Sequence, residues 1–404
     1  MSEFRTEVGR GQTATLSHVE GDLFVDGGTV VPDGGSIEVE GTLHVKHDVE
    51  VRGNLTAEMI KGDGDLSVKG NLSAEEIRLD NGGSLEVEGD LDSESADIPR
   101  LLRVGGKCDV EDLRVGGAAE LEGDAQFEDA RIGGTLRSKG RLSAEEIKVG
   151  GTLEAKDLKC EEIKVGGVLT AENVEAETLK VGGTARISGE ARIEDLNVGG
   201  TVQLAECHLG DVRIGGTMDC TGAMDFQTLE VGGRVKIESG KGEHVAVGGV
   251  LEVGNDLRLS EGLSVGGEAR VGGTLEAESV SVGGGLESKQ VVSSDSIKVG
   301  RSLSTQAGAK AEMVVIGKHG RVTGFIVGET VRIERDSVVE DVYAEHLRME
   351  EGASAKNVYA VEAVLEDGAR VSGRLLYTGE LRLGNGVRLA SAAEKVSALP
   401  SPPL

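Results

Sequence analysis

The sequence predicts an all-β protein folded as a single-stranded, right-handed, parallel β-helix of roughly 22 coils, each with about 16 to 18 residues. Three observations predict this fold. A Val/Ile-Gly-Gly tripeptide recurs at the length of one coil, three pairs of alternating apolar residues fill each period, and aromatic residues make up only 2% of the chain. Large rings usually dominate globular cores, so a core without them must be narrow and aliphatic.

The tripeptide defines the period, because successive copies are separated by nearly equal steps. It begins at Val115, Ile132, Val149, Val165, Val181, Val198, Ile214, Val231, Val247, Val265 and Val282. Glycine accepts a positive φ and a close approach of other backbone, so each doublet predicts a tight corner. A unit this short cannot bury its own apolar face, and successive units are therefore expected to stack.

Each period contains three short strands. The coil that follows Val149 has the apolar pairs Leu153/Ala155, Leu158/Cys160 and Ile163/Val165. Side chains alternate between the faces of a strand, so each pair marks an inward face, and three strands with three corners predict a triangular coil. The period is not a multiple of six, unlike that of the left-handed hexapeptide acyltransferases, and parallel crossovers are overwhelmingly right-handed.

Four segments follow along the chain. Residues 1–20 form an N-terminal tail and first coil, 21–302 the coils with Gly-Gly corners, 303–390 further coils with acidic-Gly-Ala corners, and 391–404 a proline-rich C-terminal tail. Irregular spacing near residues 92–100 predicts a bulge or an outward loop around Pro99. The tail is expected outside the ladder, because proline lacks the N–H that a ladder requires.

Composition and charge disfavour several functional classes. The formal net charge of −28 disfavours binding to nucleic acid or to anionic lipid. No apolar run approaches the roughly 20 residues that span a membrane, and the N-terminus lacks the apolar stretch of a secretory signal. We therefore expect a cytoplasmic protein without membrane association. Its four cysteines lack CxxC spacing and are expected to be buried, free and reduced.

No catalytic, cofactor-binding or metal-binding constellation is predicted. The seven histidines are scattered, and His44 and His47, although close in sequence, lack further ligands. The glycine doublets do not precede a helix, so they are not expected to bind phosphate. A P-loop motif is also absent. The chain is accordingly not expected to be an enzyme or to hold a cofactor.

Charged residues are predicted to form two outward columns. The basic column contains Arg114, Arg131, Lys148, Lys164, Lys180, Asn197 and Arg213. The acidic column contains Glu128/Asp129, Glu145/Glu146, Glu161/Glu162, Glu177 and Glu194/Asp195. Two interpretations are open: the columns neutralise each other on a solvated face, or they support lateral bundling between copies.

Tyrosines are predicted to form a small ladder near the C-terminus. Tyr343 and Tyr359 occupy the same position in two successive Val-Tyr-Ala repeats, one period apart, so they should stack on neighbouring coils. Tyr377 is expected to extend the line. The ladder either stiffens this end of the chain or forms a docking surface for an unidentified protein partner.

The repeated phrases resemble one known family. I-K-V-G-G-T-L and L-x-V-G-G recur between Val104 and Val299 without long enzymatic loops, and they resemble the bactofilins, polymer-forming cytoskeletal proteins of bacteria. The resemblance implies a right-handed triangular β-helix whose copies polymerise end to end, without nucleotide, into non-polar filaments. This chain would be an unusually long member of the family.

The ends of a β-helix provide an independent reason to expect polymerisation, since they expose unpaired backbone groups and apolar core. The candidate end residues are Leu23, Phe24 and Val25 at one end and Leu381, Leu383, Val387 and Leu389 at the other. We therefore predict a structural filament or scaffold protein that binds copies of itself. The alternative is a monomeric or dimeric β-helical scaffold that docks a partner through its charged columns or tyrosines.

Overall fold

A computed structural model of the chain describes residues 5–403, and in that range every regular element is a β-strand. The strands are parallel and form a β-helix of about 23 turns, which confirms the predicted fold class. The chain divides into two compact units, Met1–Gln203 and Leu204–Leu404.

Most of the first unit is covered by strands β1 to β18. In chain order they are Arg5–Val8, Gln12–Leu16, His18–Val19, Asp22–Pro32, Ser36–Val51, Asn54–Gly62, Leu66–Val68, Leu72–Leu79, Leu85–Val87, Leu91–Ile98, Leu101–Val104, Cys108–Val115, Ala118–Leu121, Ala125–Ile132, Thr135–Val149, Thr152–Val165, Val168–Val181 and Thr184–Val198. Strand β19, Thr201–Ile214, contains the boundary between the two units.

Strands β20 to β39 belong to the second unit. In chain order they are Thr217–Asp225, Thr228–Val231, Arg234–Gly242, His244–Val247, Val250–Val253, Leu257–Leu259, Gly262–Val265, Glu268–Val282, Gly285–Val299, Ser302–Thr305, Ala309–Ile316, Arg321–Thr323, Phe325–Ile333, Val338–Met349, Ser354–Leu365, Arg370–Val371, Leu375–Tyr377, Leu381–Leu383, Arg388–Leu389 and Glu394–Lys395.

Strands β16 and β17 show how one coil stacks on the next. Thr152 pairs with Val168 and Glu162 pairs with Thr178, so the offset between partners is the same at both ends of the coil. The inward side chains then form aliphatic columns, such as the one that contains Leu136, Leu153, Leu169 and Ala185. These four side chains are 0% exposed, and their burial is the main favourable contribution to stacking.

The Gly-Gly corners depend on close stacking and not on a positive φ. None of the glycines in the eleven doublets has a positive φ. A Cβ at Gly133 would lie 2.2 Å from the carbonyl oxygen of Gly116, and one at Gly150 would lie 2.3 Å from that of Gly133. The obstacle is backbone of the adjacent coil, so glycine is needed because only a hydrogen fits there.

A second kind of corner occurs near the C-terminus. Five residues at equivalent positions have positive φ angles between 56° and 72°: His319, Asp336, Gly352, Gly368 and Gly386. The corner around Gly352 is a four-residue turn in which the N–H of Ala353 donates to the carbonyl of Glu350 at 3.1 Å. A positive φ at the third residue of such a turn favours glycine, asparagine or aspartate.

The predicted bulge or loop around Pro99 is wrong. Strand β10, Leu91–Ile98, pairs with Cys108–Val115 at an offset that stays constant along the strand. Pro99 lies at the corner beneath the next glycine doublet, since a Cβ at Gly116 would lie 2.2 Å from its carbonyl oxygen. The alternation of apolar residues near 92–100 is interrupted because Ser93 occupies an inward position. There its hydroxyl donates to the carbonyls of Glu75 and Ser95.

The real irregularity lies one coil earlier. Ile60 pairs with Ile77, whereas Leu66 pairs with Leu85, so the offset between strand partners becomes longer by two positions. The additional residues are inserted between β8 and β9. Asn81 and Gly82 have φ angles of 51° and 90° at this point, so the insertion is accommodated by a turn.

Candidate assembly and docking surfaces

The N-terminal end of the described chain lies one coil beyond the predicted end residues, in the first coil that the sequence places within residues 1–20. Strand β1, Arg5–Val8, pairs in register with Asp22–Val25. Leu23 and Val25 are therefore only 1% exposed, and Phe24 stacks on the ring of His44 at 3.8 Å. The assignment of these three residues to the end surface is wrong, because the first coil covers them, and the outermost described strands of that coil are β1 and β2.

The C-terminal end lies where the sequence places it. Strand β37, Leu381–Leu383, pairs with Ala363–Leu365 of the preceding coil, and β38, Arg388–Leu389, pairs with Arg370–Val371. Within residues 5–403 these are the outermost strands of their faces. Leu383 is 49% exposed, whereas Leu381, Val387 and Leu389 are half-buried.

The charged columns are aligned by the strand register. Lys148 pairs with Lys164, and Lys164 pairs with Lys180, as predicted. Lys164 Nζ donates to Glu162 of its own coil at 2.6 Å and to Glu146 of the preceding coil at 2.9 Å. Lys164 thus bridges two carboxylates, and each of these carboxylates binds two lysines, which supports the interpretation of a self-neutralising face.

Hydrogen bonds from two lysines strongly stabilise the charged form of Glu146. Donation from Lys148 and Lys164 lowers the pKa of Glu146 to about 2. The pKa of Glu162 is also lowered, by hydrogen bonds from Lys164 and Lys180. The register bears out Glu177 as a member of the acidic column, because it lies opposite Glu161, whereas Thr178 stands opposite Glu162.

The tyrosine ladder forms, but it has two rungs. Tyr343 pairs with Tyr359 in register, with ring centroids 4.7 Å apart and ring planes 27° apart. Phe325 adds an edge-on contact with Tyr343 at 6.3 Å. Tyr377 does not extend the ladder, because its coil has one additional leucine: Leu376 pairs with Tyr359, and Tyr377 pairs with Ala360.

A groove of about 480 Å³ lies beside the two stacked tyrosines. Its lining includes the apolar residues Ala311, Val327, Gly328, Ala344 and Val361 together with Tyr343 and Tyr359, and also the charged residues Lys310, Glu312, Glu329 and Glu345. Burial raises the pKa of the Tyr343 hydroxyl, with a further contribution from Tyr359. The groove therefore combines aromatic rings with an apolar floor, a composition that suits binding more than proton transfer.

The four cysteines are free and buried, as predicted. Burial raises the pKa of the Cys108 thiol, and it raises the pKa of Cys160 to about 12. The sulfur atoms of Cys207 and Cys220 lie 3.3 Å apart in the core.

A ladder of side-chain amides and carboxylates lies at another corner, and it was not predicted. Asn54 Oδ1 accepts the backbone N–H of Asn71 at 2.9 Å, and Asn71 Oδ1 accepts that of Asp90 at 2.9 Å. Asp90 Oδ1 then accepts the N–H of Lys107 at 2.7 Å. The recurring Gly-Asn and Gly-Asp dipeptides were the sequence signal for it, and its role is to satisfy corner N–H groups.

No group of three or more His, Cys, Asp and Glu side chains in residues 5–403 is arranged to hold a metal ion. His47 and His44 instead contact single carboxylates: His47 Nδ1 lies 2.8 Å from Asp26, and His44 Nε2 lies 3.6 Å from Asp22. The same residues contain no helix with the length and hydropathy of a membrane span. In comparisons with known proteins, the chain matches no family model, no curated protein and no solved structure.

Proposed function

We propose that this chain is a structural, nucleotide-independent protein whose copies assemble end to end into filaments or scaffolds, as the resemblance to the bactofilins implies. The observation that supports the proposal best is the C-terminal end of the β-helix. There, among the residues that the structure describes, β37 and β38 have a strand neighbour on one side only, and Leu383 is 49% exposed.

The outermost strands favour addition of another copy for two reasons. Backbone N–H and C=O groups on the outer edge of β37 are available to a strand of another copy. Such a strand would also cover Leu383 and shield it from water. Contacts between like ends, made at both ends of the β-helix, would join copies in alternating orientation and generate the non-polar filament that the resemblance implies.

The charged columns have a secondary role in this proposal. Their lysines are engaged by Glu146 and Glu162 within the same molecule, so end contacts and not lateral contacts drive assembly. Glu145 and Glu161 are exposed, and lateral bundling would depend on carboxylates of this kind. A cytoplasmic location is part of the proposal, and the four unpaired thiols agree with a reducing compartment.

Electron microscopy of the purified protein without nucleotide tests the proposal. We expect filaments from the unaltered chain, and short or single particles from Leu383→Asp, because a carboxylate would be buried at the contact. Val338→Asp is the matched control. Val338 is 48% exposed, but its strand β33 pairs on both sides, so filaments should persist.

Two results would contradict the proposal. Discrete particles from the unaltered protein at every salt and protein concentration would exclude end-to-end assembly. Filaments of normal length from Leu383→Asp would exclude the C-terminal contact as their basis.

A binding scaffold is the second candidate function, and the groove beside Tyr343 and Tyr359 favours it. Tyr343→Ala combined with Tyr359→Ala separates the two candidates. Loss of a protein partner with intact filaments would assign the tyrosines to docking, whereas loss of filaments would assign them to assembly.

A further inference from the structure

The C-terminal segment does not simply leave the fold. Glu394 and Lys395 form strand β39 beside Leu376 and Tyr377, so the ladder continues beyond Ser391, where the tail was expected to begin. The N–H of Val396 then donates to the carbonyl of Tyr377 at 2.8 Å. Downstream of this bond the segment runs along the tyrosine groove, which Leu399, Pro400 and Pro402 help to line.

Burial along this segment repeats at every third position. After β39, Val396, Leu399 and Pro402 are half-buried, and the residues between them are exposed. A period of three is that of a polyproline II helix, whereas a strand would alternate at every second position. The segment therefore presents one face, including Leu399 and Pro402, to the body of the protein.

We propose that the groove beside Tyr343 and Tyr359 is a recognition site for extended proline-rich segments, and that the chain's own residues 397–403 bind along it and form one of its walls. The inference concerns the groove of the second candidate function and does not depend on end-to-end assembly. A segment bound in this way competes with any proline-rich partner for the same surface.

The chemistry of the two surfaces is complementary. Proline-rich segments dock onto aromatic-lined grooves because their extended conformation is preformed and costs little entropy to bind. The groove supplies the stacked rings of Tyr343 and Tyr359 and the exposed side chain of Val361. The sequence SALPSPP of the segment contains no charged residue, so docking introduces no additional charge beside Lys310, Glu312, Glu329 and Glu345, which also line the groove.

Covalent attachment makes even a weak contact effective. A short flexible linker gives an effective concentration on the order of 1 mM. An intrinsic dissociation constant of about 0.1 mM would then keep the segment bound about nine-tenths of the time. An added peptide should consequently bind the intact chain about tenfold more weakly than a chain that lacks the segment.

The test uses a shortened chain that ends at Val396, which retains β39, and a fluorescein-labelled peptide of residues 397–404. Fluorescence anisotropy measures binding of the peptide to the shortened and intact chains. We expect saturable binding to the shortened chain and about tenfold weaker apparent affinity for the intact chain. A peptide with Pro400→Ala and Pro402→Ala should lose most of its affinity.

Two valines provide matched variants of the shortened chain. Val361 and Val364 lie on strand β34 and are both 37% exposed, but only Val361 lines the groove. Val361→Asp should abolish peptide binding, and Val364→Asp should leave it unchanged. Because both positions are outward, circular dichroism should show the same strand content for both variants.

The intact chain provides a second measurement that does not require truncation. Val361→Asp in the intact chain should accelerate proteolysis within residues 397–403, and Val364→Asp should not. Equal peptide affinity for the intact and shortened chains would overturn the proposal, as would the absence of saturable binding at millimolar peptide. Both measurements apply to single particles, so a failure of filament assembly would not affect their outcome.

Discussion

The coils with Gly-Gly corners and the coils with turn corners place glycine at their bends for different reasons. At Gly150 the obstacle to a side chain is the carbonyl oxygen of Gly133, 2.3 Å from a Cβ, and φ is not positive. At Gly368 φ is 71°, and the nearest atom to a Cβ is 3.9 Å away. One glycine is required by contact between coils, the other by its own backbone conformation.

This difference explains which corner tolerates substitution. In the turn corners His319 and Asp336 adopt φ angles of 56° at positions equivalent to Gly352 and Gly368. The left-handed region costs an L-residue roughly 1–2 kcal/mol, which a single corner can sustain. In a Gly-Gly corner, by contrast, a side chain would clash with the backbone of the adjacent coil, and no change of its own φ would remove that clash.

The largest expected effect is that of Gly150→Ala. The methyl group of alanine would clash with the backbone of the adjacent coil. We therefore expect the free energy of unfolding to fall by about 3 kcal/mol. The midpoint of urea unfolding measures the loss, with Lys156→Ala, an exposed position on the next coil, as the control. Gly150→Asn should be at least as damaging, and a loss below about 1 kcal/mol for Gly150→Ala would refute the steric explanation.

A smaller loss is expected at the turn corner. Gly368→Ala should cost about 1 kcal/mol, because alanine must adopt a positive φ in otherwise open space. Gly368→Asn should cost less than Gly368→Ala, since asparagine tolerates this region. The order of alanine and asparagine is thus reversed between Gly368 and Gly150. The same order at both sites would remove the distinction between the two corners.

The smallest effect concerns the charges beside the corners. The pKa of Glu146 is lowered to about 2 by Lys148 and Lys164, whereas that of Glu350 is lowered chiefly by Arg332. Stabilisation by such carboxylates is complete above their unfolded pKa near 4.5 and is lost as the pH falls toward the folded value. For Glu146 we expect a stabilisation of roughly 0.5 kcal/mol, which is lost between pH 4.5 and 2.

Single donor deletions sharpen this comparison. Lys148→Ala should raise the pKa of Glu146 only in part, because Lys164 still donates to it. Arg332→Ala should remove most of the shift of the Glu350 pKa. Carboxyl titration by NMR measures both values, and equal return to an ordinary pKa in the two variants would contradict the shared arrangement around Glu146.

Sequence reasoning succeeded where the period alone decides the structure. The inward pairs and the alignment of Lys148, Lys164 and Lys180 follow from parallel stacking at a nearly constant offset. It failed where one polar or extra residue changes the local pattern. Ser93 is a polar residue at an inward position, where its hydroxyl donates to a backbone carbonyl, so the apolar pattern is interrupted although the coil is regular. In a later coil, Leu376 takes the position opposite Tyr359, so Tyr377 does not stack on the tyrosine ladder.

The surfaces were harder to predict than the core. Apolar periodicity identifies which residues point inward, but it does not say which coil is outermost, and Leu23 was therefore placed at the end although β1 covers it. Likewise, the prolines indicate that the ladder stops near the C-terminus. Their position beside Tyr343 depends on long-range packing, to which no local pattern corresponds.

The constant offset between β16 and β17 has an evolutionary consequence. Because Thr152 and Glu162 have strand partners at the same spacing, duplication or deletion of a block of that length reproduces neighbours of the same kind. Each event would change the length of the β-helix by about 4.8 Å, the distance between adjacent strands. Genetic copying of whole coils can therefore adjust the dimensions of this protein in uniform steps without inventing a new core.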